Sequence, residues 1–426
     1  MTQGLEITLA PERLSEGSPE ERAAFGLFAI GSGNVALTEG YDSFIDALRP
    51  GPLVSGYHAA EWFAANWWRL RYEPYSPRSA DWWRAHRMTA IGEGYVWPNI
   101  VFRTDGARSA ILSEPSSDPQ AKPFRYLGAN PWLGPSVAVE EAIDNFLMRI
   151  VGRLAERGIR ESNLNRLWTE VLTERQDSDQ AERRRLEALM GFDPDEADER
   201  FIQTLLDDRQ RFGSAAVDEL AAETAGTSPL TSERLLSIAA REGAMIKRSD
   251  AMTLSADVLA ETCSRPLAWQ QGQHAARMLR KQENLGDAPI ETARLAEMIG
   301  GTGIGPGRGQ PTSPISFLFP ESSVNASMVL RSRWETGRRF ELARLLGDHL
   351  RFGQTDHLLP ATGAYTFRQQ AQRTFAAELL SPLNVVTDML QGDYSPEAIE
   401  DTARHFKVST MTVDNLLRNN NVYEAA

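Results

Sequence analysis

The sequence predicts an α+β, mainly helical fold, and three observations carry that expectation. Short apolar runs bounded by Gly, Asp or Asn crowd the first third of the chain, apolar residues at helical spacing fill the middle, and amphipathic segments resume beyond residue 286. At 426 residues the chain exceeds the ~100–200 residues of an ordinary domain, so two or three are expected. Composition divides it into a Trp-rich α+β domain at 1–135, a helical region at 136–285 and a C-terminal domain at 286–426.

In the first part, the stretch to Ala10 reads as a short strand, as do Gly26–Ile30, Val35–Thr38, Ile100–Arg103 and Ala110–Leu112. Asp105-Gly106, between the last two, is a hairpin turn, because both residues tolerate the backbone angles such a turn needs. Six of the ten tryptophans fall between Trp62 and Trp97. Along Glu61–Tyr72 the residues Trp62, Phe63, Asn66, Trp67 and Leu70 recur at helical spacing, so one helix with an aromatic face is expected. Two roles are open to that face. It is core, since tryptophans bury large areas; or Trp62, Trp67, Trp82 and Trp83, interleaved with Arg69 and Arg71, form a platform that stacks on a base, a peptide aromatic or a small planar ligand.

The helical region begins where Ser136 can cap a helix whose Val139, Ile143, Phe146, Leu147, Ile150 and Leu154 draw one apolar face. Farther on, Arg183-Arg184-Arg185 sits between Glu182 and Glu187, the pattern of a solvated helix surface laced with ion pairs. Ala225-Gly226-Thr227-Ser228-Pro229 reads as a linker.

Composition excludes several classes of function. The net charge of −13 opposes a dominant nucleic-acid or anionic-membrane surface. Cys263 is the only cysteine, which rules out an internal disulfide, a thiolate zinc finger and an iron–sulfur site. No apolar run has the roughly 18 residues of a membrane span and the N-terminus lacks the pattern of a signal peptide, so a cytoplasmic location is expected. The glycine run Gly300–Gly309 resembles a phosphate loop only superficially: no register gives G-x-G-x-x-G and no Lys-Ser/Thr follows, so it reads as a flexible connection. Gly31-Ser32-Gly33 lacks the spacing of a nucleophile elbow.

The segment richest in information is Arg338-Arg339-Phe340-Glu341-Leu342-Ala343-Arg344-Leu345-Leu346-Gly347-Asp348-His349-Leu350. Phe375-Ala376-Ala377-Glu378-Leu379-Leu380-Ser381-Pro382 follows, and then His405-Phe406-Lys407-Val408-Ser409. In order and spacing these three segments resemble the ImmA/IrrE-like metallopeptidases, over about a third of the chain. That resemblance implies a zincin-like domain, with a helix carrying H-E-x-x-H, a later helix supplying an acidic third ligand, and a closing helix pair. Two histidines four apart share one helical face and can hold one zinc ion, with the glutamate as general base. At the corresponding positions this chain has Arg344, Leu345 and Asp348, and Phe367–Thr374 contains no carboxylate. An i,i+4 ion pair between Arg344 and Asp348 is expected where the metal would sit. Asp348, His349 and His357 are the residues from which a non-standard zinc site could be rebuilt, although His349 lies about 100° around the helix from Asp348.

The tail resembles a helix-turn-helix as well as the family's own closing pair. Arg404, Lys407 and Arg418 would be its DNA contacts, yet five acidic residues accompany these three after Ser395. The expected function is a catalytically inactive metallopeptidase-like protein with no cofactor, binding a protein partner as a sensing or regulatory module. The resemblance points to stress response, mobile-element control or phage defence. The alternatives are an active zinc-dependent peptidase with a non-standard metal site and a DNA-binding regulator.

Overall fold

A computed structural model describes residues 4–223, 230–303 and 313–422. Helices hold 51 % of the chain and strands 16 %. Every named strand pair is antiparallel, so the fold is α+β rather than a doubly wound α/β sheet.

The chain forms two units, Met1–Ile202 and Gln203–Ala426 apart from a short linker segment. The boundary therefore falls inside the Glu199–Phe212 helix, not at 135 or 285. The physical reason is that the helical region has no core of its own. Its helices as far as Ala188 bury their apolar faces in the cluster that includes Ile7, Phe28, Phe63 and Trp67. Those from Phe212 onward contribute to clusters that include Phe317 and Leu346.

In the first unit Leu5–Pro11 pairs with Phe25–Ser32, from Leu5 opposite Ser32 to Pro11 opposite Gly26, and Leu53–Ser55 joins the other edge. A second sheet orders Pro131–Pro135, Arg108–Glu114 and Asn99–Thr104. The Asp105-Gly106 hairpin forms as expected. Asp105 Oδ1 accepts from the Ala107 and Arg108 N–H groups, and Gly106 takes a φ of +94°, which glycine adopts without strain. Two details differ from expectation. The aromatic helix is broken into Gly56–Ala65 and Trp67–Tyr72, with the Asn66 side chain donating back to the Trp62 carbonyl. Ser136 begins the Ser136–Glu156 helix without capping it, because its hydroxyl is engaged by Thr104 and Ser109.

The second unit is built on a four-stranded sheet ordered Ala244–Lys247, Asn325–Val329, Ser316–Pro320, Leu359–Ala361. Successive residues of a strand face opposite ways. Accordingly Leu318 joins one core cluster while Phe317 and Phe319 join the other. The Glu335–Phe352 helix lies on the Leu318 side and inserts Leu342, Leu345 and Leu346. Beside it runs the Phe367–Leu380 helix, approached closely by Ala268–Gln282: a Cβ at Gly272 would stand 2.4 Å from the Ala371 carbonyl oxygen. Residues 224–229 and 304–312 are outside the described residues, and with them the expected linker and most of the glycine run.

Candidate functional site

The candidate site lies where Glu335–Phe352, Phe367–Leu380 and the Leu359–Ala361 edge strand meet. Both helices carry buried polar residues there. Arg344 and Asp348, one turn apart, are buried, and Arg368, Gln369 and Gln372 are buried on the second helix.

Arg344 and Asp348 do not pair with each other, contrary to the expected i,i+4 bridge. Arg368 reaches Asp348 first, donating from Nε and Nη2 to its two oxygens at 2.8 and 2.6 Å, and from Nη1 to Asp356 at 2.5 Å. A side-on two-bond fork is a stronger match than an intrahelical pair at one turn. Arg344 Nη2 instead donates to the Thr362 carbonyl at 2.7 Å and to the amide oxygens of Gln369 and Gln372 at 2.5 and 3.3 Å. The same glutamines donate to the Pro360 carbonyl, and Gln369 also accepts from the Thr362 N–H. They bind the edge strand to the helix.

The electrostatics follow from this arrangement. Burial, and next the neighbouring Arg373 guanidinium, pushes the Arg344 pKa down to about 9, so it remains charged at neutral pH. Asp348 holds the Arg368 charge in place, and Arg368 is raised despite its burial. Close to Arg368 lies Glu219, which accepts from the Thr366 hydroxyl at 2.6 Å and whose pKa burial pushes up to about 7.

These residues do not suit a zinc ion. Arg344 carries a positive charge that opposes a cation, Leu345 has no donor atom to offer one, and the carboxylate of Asp348 is already spent on Arg368. No group of three or more His, Cys, Asp or Glu converges to hold a metal among the described residues. Asp348, His349 and His357 are not brought together as a ligand set: His357 is exposed, while burial pushes the His349 pKa down to about 4.

The aromatic candidates are packed as core. Trp62, Trp67 and Trp82 are buried; Trp82 stacks on His86 at 4.2 Å between centroids, and the Trp62 indole donates to the Arg84 carbonyl. Trp83 is partly buried and donates to the Pro77 carbonyl. Arg69 forks onto Glu73, and Arg71 donates from Nε to Glu140 and from Nη1 to the Gly106 carbonyl, so the interleaved cations are engaged inside the unit. In the tail, Ser395 and Ser409 cap their helices. Arg404 pairs with Glu400 and Asp401, Lys407 with Glu291 and Arg418 with Asp414, which lowers the local potential a phosphate backbone would meet. Cys263 is exposed.

Sequence reasoning missed Arg368, Gln369, Gln372, Arg373 and Glu219. Gln369 and Gln372 at i,i+3 share a helical face, the one signal available. No helix among the described residues is long and apolar enough to cross a membrane. No protein-family model, no curated protein and no solved structure matches this chain.

Proposed function

We propose that the second unit is a metallopeptidase-like module of the ImmA/IrrE kind that has lost its metal and acts by binding, as a sensing or regulatory element. The observation that carries this reading is the engagement of Arg344: a guanidinium at a ligand position, tied to Gln369, Gln372 and Thr362. A fixed positive charge there opposes a divalent cation, and the neighbouring leucine cannot accept a proton from water. The motif order in the sequence supports the relationship to the family, and the pairing of the tail cations favours a protein partner over DNA. Cellular roles in stress response, mobile-element control or phage defence, in the cytoplasm, belong to the same proposal.

Metal analysis tests it. Protein purified with added zinc and then desalted is expected to hold far less than one equivalent. Stoichiometric zinc that is lost on Asp348→Asn or His349→Ala would overturn the proposal in favour of a non-standard peptidase.

A further inference from the structure

The geometry points to Arg344 as the centre of a carboxylate-binding site, a ligand class for the module proposed above, on which this inference rests. The comparison that carries it is internal to the protein. Arg69 on Glu73 and Arg368 on Asp348 each use the side-on edge of the guanidinium, Nε together with Nη2, to hold one carboxylate in two bonds. On Arg344 that same edge meets only neutral oxygens through Nη2, and Nε is buried with no hydrogen-bond partner. The side chain is 7 % exposed, and among the described residues no carboxylate lies within ion-pair distance of it.

Two other guanidinium groups reinforce the local charge. Arg373 donates through Nη2 to the carbonyls of Thr362, Gly363 and Ala364, and Arg373 and Arg331 both disfavour the charged form of Arg344 by repulsion. The facing carboxylates are Glu341, which accepts from the Ser332 N–H and stands 3.7 Å from Arg331, and Asp348, which Arg368 holds. Neutral acceptors alone do not make an arginine a site, since Arg280 and Arg339 are also held by carbonyl and hydroxyl oxygens. Those two, however, satisfy Nε, Nη1 and Nη2. Arg344 does not; Arg351 also has a buried Nε without a partner, but that residue is partly exposed, whereas Arg344 is buried, and burying an uncompensated charge is costly. A carboxylate displacing the Gln372 amide, the longest of the three bonds, would complete the fork seen at Arg69 and Arg368.

The carboxylate could belong to a peptide C-terminus or to an acidic side chain, and three probes separate these at constant ionic strength: N-acetylalanine, N-acetylaspartate diamide and, as the uncharged control, N-acetylalanine amide. At ten times Kd a carboxylate is expected to raise the melting temperature of the full-length protein by about 3 °C, with no rise for the control. The more effective probe identifies the source. The rise should vanish in Arg344→Met, and that variant should be no less stable than wild type without probe, because it removes a buried unpaired charge. Should Arg344→Met fail to fold, Arg373→Gln is expected to weaken probe affinity at least tenfold. The inference is overturned if neither carboxylate raises the melting temperature, if the rise survives both substitutions, or if phosphate alone produces it. Zinc measured on the same samples keeps the two ideas apart, since stoichiometric metal sinks the proposed function, whereas metal-free protein indifferent to carboxylates sinks only this site.

Discussion

Asp348 is the residue whose replacement should reveal most about the interior of the second unit. It is 1 % exposed and neutralises an arginine that is almost as deeply buried, through bonds of 2.8 and 2.6 Å. Asp348→Asn preserves volume but removes one of the two carboxylates that compensate Arg368, leaving Asp356 alone at 2.5 Å. Breaking a buried pair from one side costs about 3–5 kcal/mol. The asparagine oxygen still accepts one bond, which places the expected loss near the lower limit, about 3 kcal/mol. For a unit of 150–250 residues this corresponds to a fall of about 6–12 °C in melting temperature. Urea and thermal unfolding followed by circular dichroism would measure it. The double variant Asp348→Asn with Arg368→Met should lose less than the sum of the two single changes, since the stranded charge is then gone. A single variant within about 0.5 kcal/mol of wild type, or strict additivity in the double, would refute the account of this pair as mutually dependent.

Glu219 should make stability depend on pH. Its folded pKa, raised by burial to about 7 from 4.5, favours the protonated form, so its contribution is full below pH 4.5 and is lost as pH rises through 7. Glu219→Gln retains an acceptor for Thr366 and should gain on wild type by up to about 3 kcal/mol between those limits, as read from urea midpoints across pH; parallel profiles would contradict this. Gly272→Ala should be more damaging than Gly347→Ala. The first Cβ meets a backbone oxygen at 2.4 Å and the second a Phe375 ring carbon at 2.5 Å, and a ring can shift where a backbone cannot; overpacking of this kind costs about 1–3 kcal/mol. Equal melting temperatures would show that the helices part freely. Trp82→Ala should destabilise the first unit by about 3–5 kcal/mol, and a variant unfolding at the wild-type urea concentration would reopen a surface role for that aromatic cluster.

Much of the local structure was legible in the sequence because local physics decides it. The Asp105-Gly106 turn and the apolar face from Val139 to Leu154 depend on a few neighbouring residues, and each occurs where expected. Ser136 shows the limit. Its side chain suits a cap, but a tertiary alternative, the hydroxyls of Thr104 and Ser109, took it. The domain boundary failed for a related reason: composition records a run of helices, whereas cohesion depends on which core each helix faces.

The candidate site divides in the same way. The sequence alone determined that Arg344, Leu345 and Asp348 lie on adjoining parts of one helical turn, because helical spacing brings residues four apart onto one face. Only the tertiary structure decided which partners they take. Arg368 is twenty residues from Asp348, and its fork outcompetes the pair one turn away because a second helix delivers it from the side in two-bond geometry. Arg344 is left to the glutamines, a buried cation among neutral oxygens, and that arrangement depends on packing distances that no sequence spacing records.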